Sequence, residues 1–443
     1  MSHNLRACVL AVLLVMAAPT AISASEVLPG VSLEPMLELA KANNPEYASM
    51  RFERQAAAER VTSAGALPDP KLRVELMDIT KGDTRTATIW PNDVGSTRYT
   101  LMQDLPWFGK RDLKRDMAAF EANAVTGKVN ATWSDLTARI KTLHALRYYH
   151  HGNQELVRDM LALMVRLEKV TQVRYANGLA AQQDVIRAQI EQTNVRMELA
   201  ALDNEGAQMD ARLNALLGRP AGAPLADPTG WRALPSAEKL DVFTLQERLR
   251  ASNPALFEQA SRIKVAEAAL ELAYKNRYPD FNVGLALTQY PGATAPSGNA
   301  QHNPGAMMAP PAIGNEWAVM LELNIPLQQA SRRAQERESE AMLLAARARQ
   351  DALANQLLAE LADNVAGINA AGKTGLLVAT SLLPHAELTF SAALVAYENA
   401  KVDFATLLDA QRQIRQARQS QLKSGFETQV RIAEIEKLLG EDL

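Results

Sequence analysis

Cysteine is nearly missing from this sequence: one, Cys8, in 443 residues. Once the leader described below is removed, disulfides, thiolate chemistry and cysteine-ligated metals are excluded together. Aromatic residues are also scarce, at 5%, so most packing has to come from small aliphatic side chains. Neither sign of charge dominates, with 47 Lys and Arg against 50 Asp and Glu, which argues against a nucleic-acid or other polyanion partner. Beyond the leader no 18 apolar residues run together, so no ordinary transmembrane helix is expected. That last absence says nothing of β-barrels, whose strands need only about 9 to 11 residues of alternating character.

What is present begins with an export leader. Arg6 and Cys8 precede an apolar run from Val9 to Ala18, followed by Pro19 and small residues to Ala24. This is the order of a secretory signal, assigned here to residues 1–24, with cleavage after Ser23 or Ala24. Cys8 precedes the apolar run, where a lipid-bearing cysteine has to follow it, so Cys8 leaves with the leader and is not lipidated.

The rest of the chain carries one series of landmarks twice, roughly 210 to 220 residues apart. Asn43-Asn44-Pro45 pairs with Asn253-Pro254, Leu67-Pro68-Asp69 with Tyr278-Pro279-Asp280, and Leu105-Pro106 with Ile325-Pro326. The basic pairs Lys110-Arg111 and Arg332-Arg333 follow, and Tyr175-Ala-Asn-Gly178 matches Tyr397-Glu-Asn-Ala400. The chain therefore divides into a first repeat at 25–217, a Pro/Gly-rich connector at 218–238 and a second repeat at 239–443. Length alone suggests about three compact domains; the repeats replace that with two copies of one unit.

Each repeat holds strand-like and rod-like parts. Phe281-Asn-Val283-Gly-Leu285-Ala-Leu287 and Trp317-Ala-Val319-Met-Leu321-Glu-Leu323-Asn-Ile325 keep large apolar residues on odd positions, the period of a half-covered strand. Leu72-Arg-Val74-Glu-Leu76 and Tyr99-Thr-Leu101 are shorter versions, giving hairpins at about 72–105 and 281–325. A soluble four-stranded sheet packed on helices is the alternative, but the flanking helices are too long to cover it. Arg111 to about Tyr175 lacks proline, and at 1.5 Å per residue such a rod spans about 100 Å. Its stripe of Leu156, Met160, Leu163, Leu167 and Val170 requires sideways packing. Ala180 to Leu216 returns beside it, and a helix from about Leu33 to Ala64 completes the length. The second half repeats this with Arg332–Asn399, Phe404–Leu438 and Val242–Arg277, with Gly367, Gly372 and Gly375 as sites where the second rod can bend.

Over essentially the whole mature sequence these landmarks resemble the TolC-like outer-membrane efflux proteins. Gln103-Asp-Leu-Pro106-Trp107-Phe108-Gly109-Lys110-Arg111 is most similar to the heavy-metal, cation-efflux (CzcC-like) branch. The resemblance implies a mixed α/β membrane protein, a homotrimer whose chains give four strands each to an outer-membrane β-barrel continuing into a periplasmic α-helical barrel. It implies a passive exit duct for heavy-metal cations, with a periplasmic adaptor (membrane fusion protein) and a proton-driven inner-membrane RND pump as partners. Organic solutes, drugs or a secreted polypeptide are the alternative cargo, and a periplasmic adaptor or structural coiled-coil protein is the remote alternative.

The resemblance also assigns residues. Tyr175, Gly178, Asn399 and Ala400 match the periplasmic tips that meet the adaptor, with Ala400 departing from the glycine of the first tip. Tyr397 matches a gating tyrosine, Asp184 the acidic residue that accepts its hydroxyl hydrogen bond, and Asp409 an acid facing the tunnel constriction. The plainer alternatives are a solvated first-turn carboxylate for Asp184, interhelical packing for Tyr397 and an ion pair with a neighbouring cation for Asp409. Pro106, Trp107, Phe108, Lys110, Arg111 and Pro326 form the barrel-to-tunnel joint, with Phe108 equally suited to the membrane interface or to a packed anchor.

Catalysis and cofactors find no support. No Ser/His/Asp set, phosphate loop or metal-hydrolase His pair is present in context, and no cofactor or resident metal is expected. His150 and His151 are adjacent and point to different helix faces. His302 with Met307 and Met308 offers a soft-metal contact, against the plainer reading of an extracellular loop.

Overall fold

The computed structural model describes residues 28–80, 87, 89–91, 94–290, 314–399 and 401–443. The leader with Cys8, the loop residues His302, Met307 and Met308, and Ala400 at the second tip lie outside the described residues.

The first half runs α1 (Leu33–Asn43), α2 (Pro45–Ala64), β1 (Lys71–Met77), β2 (Ser96–Leu105), α3 (Lys110–Ala176) and α4 (Gln182–Leu216). The second runs α5 (Val242–Ser252), α6 (Pro254–Lys275), β3 (Asp280–Gln289), β4 (Glu316–Asn324), α7 (Gln329–Leu377), α8 (Leu383–Glu398) and α9 (Phe404–Leu439). At 67 residues, α3 spans about 100 Å. It packs along α2 and α6 at one end and α4 and α9 further on, while α7 lies on α6 and α9.

The opening helices depart from the single rods expected at Leu33–Ala64 and Val242–Arg277. Each breaks before a proline, which lacks an N–H and pushes its predecessor to extended backbone. Asn44 (ψ 121°) and Asn253 (ψ 121°) are those predecessors, and each side-chain oxygen accepts the first-turn N–H of Tyr47 or Leu256. Their amide nitrogens donate to Leu216 O and Leu438 O, which ties the start of α2 to the end of α4 and the start of α6 to the end of α9.

The second rod also departs. Gly367, Gly372 and Gly375 lie inside α7, and the ladder changes instead at Val378–Leu382, a π turn in which Leu383 N–H reaches Val378 O. Pro384 sits two residues beyond that turn and cannot donate to the carbonyl of Thr380, so the chain absorbs one extra residue there. Within Gln329–Glu398 an 18-residue window reaches mean hydropathy 1.2 with 11% of it buried, which by length and composition alone suffices to cross a membrane. No 18 apolar residues run together there, as the sequence indicates, but Leu376, Leu377, Leu388 and Val395 leave this stretch apolar and exposed.

The two hairpins join into one antiparallel sheet, ordered β1-β2-β3-β4, because β2 pairs with β3 over Thr97–Leu105 and Phe281–Gln289. Below it the helices hold three apolar cores. One near the helix tips brings together Met164, Leu167, Val195, Tyr397, Phe404 and Leu407. A second joins α5, α7 and α9 through Leu245, Leu361 and Ile435, and a third joins α1, α3 and α4 through Met36, Ile140 and Leu213. Between these, Lys141 and Glu436 form a buried ion pair at 2.8 Å that also takes Arg232 of the connector at 2.7 Å.

Candidate functional site

The sheet is inverted relative to a soluble one. Its register aligns Leu72, Leu101, Leu285 and Val319 in one row and Val74, Tyr99, Leu287 and Trp317 in the next, with Val283 and Leu321 continuing the same face. Leu72 and Val319 are 67% and 79% exposed, whereas Thr100, Ala286 and Thr288 on the opposite face are buried. A contiguous apolar face over four strands, turned outward, is unfavourable in water and suits hydrocarbon. The other face carries Arg73, Glu75, Arg98, Thr288 and Glu316, with Arg98 Nε donating to Thr288 Oγ1 at 3.2 Å.

At the joint, Asp280 organises the turn from strand to helix. Its Oδ1 accepts from Trp107 N–H and from Lys110 Nζ, both at 2.8 Å, and Lys110 also donates to Tyr278 O at 3.0 Å. The Trp107 ring stacks on Tyr278 (5.2 Å) and Phe281 (5.4 Å), so it is held by the second repeat. The Phe108 ring stands at 74° to that of Trp107, with centroids 5.9 Å apart, and is largely exposed within one chain. Gly109 starts α3 at φ +78°, where a Cβ would lie 2.4 Å from Lys275 Nζ. Arg111 caps the descending helix by donating twice to Gly65 O, at 3.1 and 2.7 Å. Pro106 is half-buried and Pro326 accepts at its carbonyl from Gln329 Nε2 at 2.8 Å. Nearby, hydrogen bonds from Arg277 hold the Glu336 carboxyl below its ordinary pKa.

At the tips the two helical hairpins meet differently from the expectation. The Tyr397 hydroxyl is buried and paired with Thr171 Oγ1 at 2.9 Å. Arg174 lies over the Tyr397 ring, 4.6 Å from its centroid, and donates to Tyr397 O and Leu179 O. Asp184 stands in the first turn of α4, and the Tyr397 hydroxyl has Thr171 rather than Asp184 as its partner in this structure. The physical reason is depth: Tyr397 points inward against Phe404, where a carboxylate would lose hydration.

The turns themselves also differ. Gly178 adopts φ +72° with open space around it, following exposed Tyr175, and Leu179 N–H closes onto Arg174 O. Asn399 keeps a right-handed φ of −88° and donates its side-chain amide to Val395 O. Asp403 then caps α9, and hydrogen bonds from the Thr406 hydroxyl and N–H hold its pKa below the ordinary value. Asp409 is exposed and lies 3.6 Å from Arg412, which also reaches Glu191 at 2.8 Å.

Sequence reading passed over Thr171 and Arg174, whose only signal is their position one turn and less before Tyr175. For metal chemistry, no group of three or more His, Cys, Asp or Glu among the described residues could hold an ion. His150 is buried with Nε2 unpaired, and His151 faces Glu155 at 3.4 Å.

Comparisons with known proteins agree with this geometry. A family model described as outer membrane efflux protein matches residues 36–219 and 245–441, one segment in each half. The cobalt-zinc-cadmium resistance protein CzcC of Cupriavidus metallidurans is 24% identical over 418 residues, covering 93% of this chain and 90% of that protein. Among solved structures, the outer membrane protein VceC of Vibrio cholerae superposes with a TM-score of 0.75 at 19% identity, over 93% of this chain and 96% of VceC. The CmeC outer membrane channel of Campylobacter jejuni gives 0.74 at 10% identity, over 92% of this chain and 85% of CmeC.

Proposed function

The chain belongs to the outer membrane efflux protein family, and on that premise we propose that it is the passive exit duct of a tripartite efflux system carrying heavy-metal cations. That it is an outer-membrane channel protein of an efflux system follows from the family. The finer reading adds cargo and assembly. One observation carries it: the outward apolar rows from Leu72 to Val319, which belong in lipid, placed directly above helical rods long enough to line a tunnel.

Three copies complete the duct. Four strands cannot enclose a pore, and β1 and β4 each leave one edge unpaired, which lipid does not tolerate. Pairing β4 of one copy with β1 of the next closes both edges. The helices lie in the same lateral order, with α2 and α4 on the β1 side and α7 and α8 on the β4 side. Exposed Ile186, Ile190 and Met197 on α4 then meet exposed Leu388 and Val395 on a neighbouring α8. The tips around Tyr175, Gly178 and Asn399 are the docking ends for a periplasmic adaptor, and an inner-membrane RND pump supplies the energy.

The cargo assignment is supported by the relative's name, a cobalt-zinc-cadmium resistance protein. Nothing in the duct needs to ligate the metal, because passage requires weak contacts rather than a tight site. The export leader at 1–24 and the repeats at 25–217 and 239–443 belong to the same reading. Purified protein reconstituted in planar bilayers tests the duct: discrete conductance from a heat-modifiable trimer supports it, and a freely soluble monomer that never conducts refutes it.

A further inference from the structure

Each rising helix begins four residues beyond its strand, α3 after 106–109 and α7 after 325–328, so strand ends and helix starts meet in one collar. The connectors continue the apolar face of the sheet. Ile325 and Leu327 keep the odd positions of β4, Leu327 is 83% exposed, and Phe108 is 79% exposed beside Trp107. Within one chain Leu327 and Phe108 are therefore left mostly uncovered.

Positive charge lies immediately beyond. The first two turns of α3 hold Lys110, Arg111, Lys114 and Arg115, and those of α7 hold Arg332 and Arg333, with Arg337 next. A helix N-terminus carries partial positive charge and disfavours cations, so these positions run against the local field. Some are compensated: Lys110 by Asp280 at 2.8 Å, and Arg115 loosely by Asp112 and Asp116 at 3.6 Å each. Lys114, Arg333 and Arg337 are exposed and form no ion pair among the described residues. Asp280 acts on Lys114 from a distance, and Glu336 on Arg333 and Arg337, but Asp280 is already bonded to Lys110 and Glu336 to Arg277, so compensation inside the chain is shared and incomplete and leaves room for an added anion. Apolar side chains on one side of the band and cations on the other match the layered chemistry of a lipid headgroup region.

We propose that this collar binds anionic glycerophospholipid in the leaflet facing the periplasm. Phe108 and Leu327 enter the acyl layer, and Lys114, Arg333 and Arg337 meet the phosphates. The inference rests on the sheet being membrane-spanning, as proposed above. The bound lipid would fix the depth of the barrel and offset the repulsion at the two helix starts.

The test uses the whole protein in nonionic detergent, titrated with phosphatidylglycerol or with phosphatidylcholine of the same acyl chains, with retained lipid counted by native mass spectrometry. Wild type is expected to prefer phosphatidylglycerol, and each of Lys114→Gln, Arg333→Gln and Arg337→Gln to lower its retention about fivefold. Lys114→Arg keeps the preference, and Phe108→Ala lowers both lipids alike. Independently of any variant, roughly 0.5 M salt erases the preference of wild type. Equal retention of both lipids by wild type, or a preference unchanged in all three glutamine variants, overturns the headgroup proposal while leaving the spanning sheet intact. Retention of neither lipid likewise overturns the headgroup proposal, whereas the spanning sheet fails only if the protein is a freely soluble monomer that never conducts.

Discussion

The hydroxyl of Tyr397 and the hydroxyl of Thr171 are 2.9 Å apart, buried, and 226 residues distant in sequence. Thr171 already donates its proton to Leu167 O at 2.8 Å, so Tyr397 is the donor in the pair. The bond fastens the end of α3 to the end of α8, and Arg174 reinforces it from the tyrosine's ring face. The two helical hairpins are therefore locked to each other inside one chain.

Breaking that lock is expected to loosen the tip. Tyr397→Phe removes one buried hydrogen bond, worth about 0.5–1.5 kcal/mol, and Thr171→Val strands the tyrosine hydroxyl and does more harm. Single-channel recordings are expected to show longer openings in both variants and wild-type openings in Asp184→Asn. The reverse pattern would restore the Asp184 link as the operative one.

A second expectation concerns selectivity. Asp409 is exposed near the start of α9, and three copies around an axis would concentrate negative charge at the tunnel mouth. Asp409→Asn is expected to reduce the cation-over-anion permeability ratio measured from reversal potentials in a salt gradient. An unchanged ratio removes Asp409 from the conduction path.

The buried cluster of Lys141, Glu436 and Arg232 gives a stability prediction. Glu436 is 6% exposed, and Glu436→Gln removes the carboxylate shared by Lys141 and Arg232, leaving Lys141 only the exposed carboxylate of Asp442. Removing one partner from such a pair costs about 3–5 kcal/mol, to be read from thermal unfolding followed by circular dichroism. A loss below about 1 kcal/mol would mean that the cluster is hydrated rather than buried.

His144 supplies the pH dependence. Burial and the neighbouring Arg147 hold its pKa below the ordinary 6.5, and its Nε2 has no partner. The unfolded chain therefore binds a proton at higher pH than the folded one does. Stability from this residue is complete above pH 6.5 and is lost as pH falls toward the depressed folded value. The thermal midpoint should drop on acidification from pH 7, and His144→Gln should flatten that slope. An identical slope in the variant assigns the acid sensitivity elsewhere.

Much of this architecture is legible in local sequence. The odd-position apolar residues of Val283 to Leu287 and Trp317 to Leu323 carry the strand face, and the proline-free run after Arg111 carries the rod, because both periods are properties of one segment. The π turn at Val378–Leu382 was hidden behind more conspicuous glycines, although Pro384 was its visible cause. What no segment could reveal is pairing at a distance. Thr171 is an unremarkable helical threonine until α8 brings Tyr397 to it, and Lys141 meets Glu436 only after 295 residues of intervening chain.

The most direct measurement is growth and metal content in cells from which this chain has been deleted, challenged with zinc, cobalt, cadmium and unrelated organic toxins. The account predicts raised intracellular metal and metal sensitivity, restored by the wild-type chain, with tolerance of the organic toxins unchanged. Unaltered metal content together with new sensitivity to the organic toxins would contradict it.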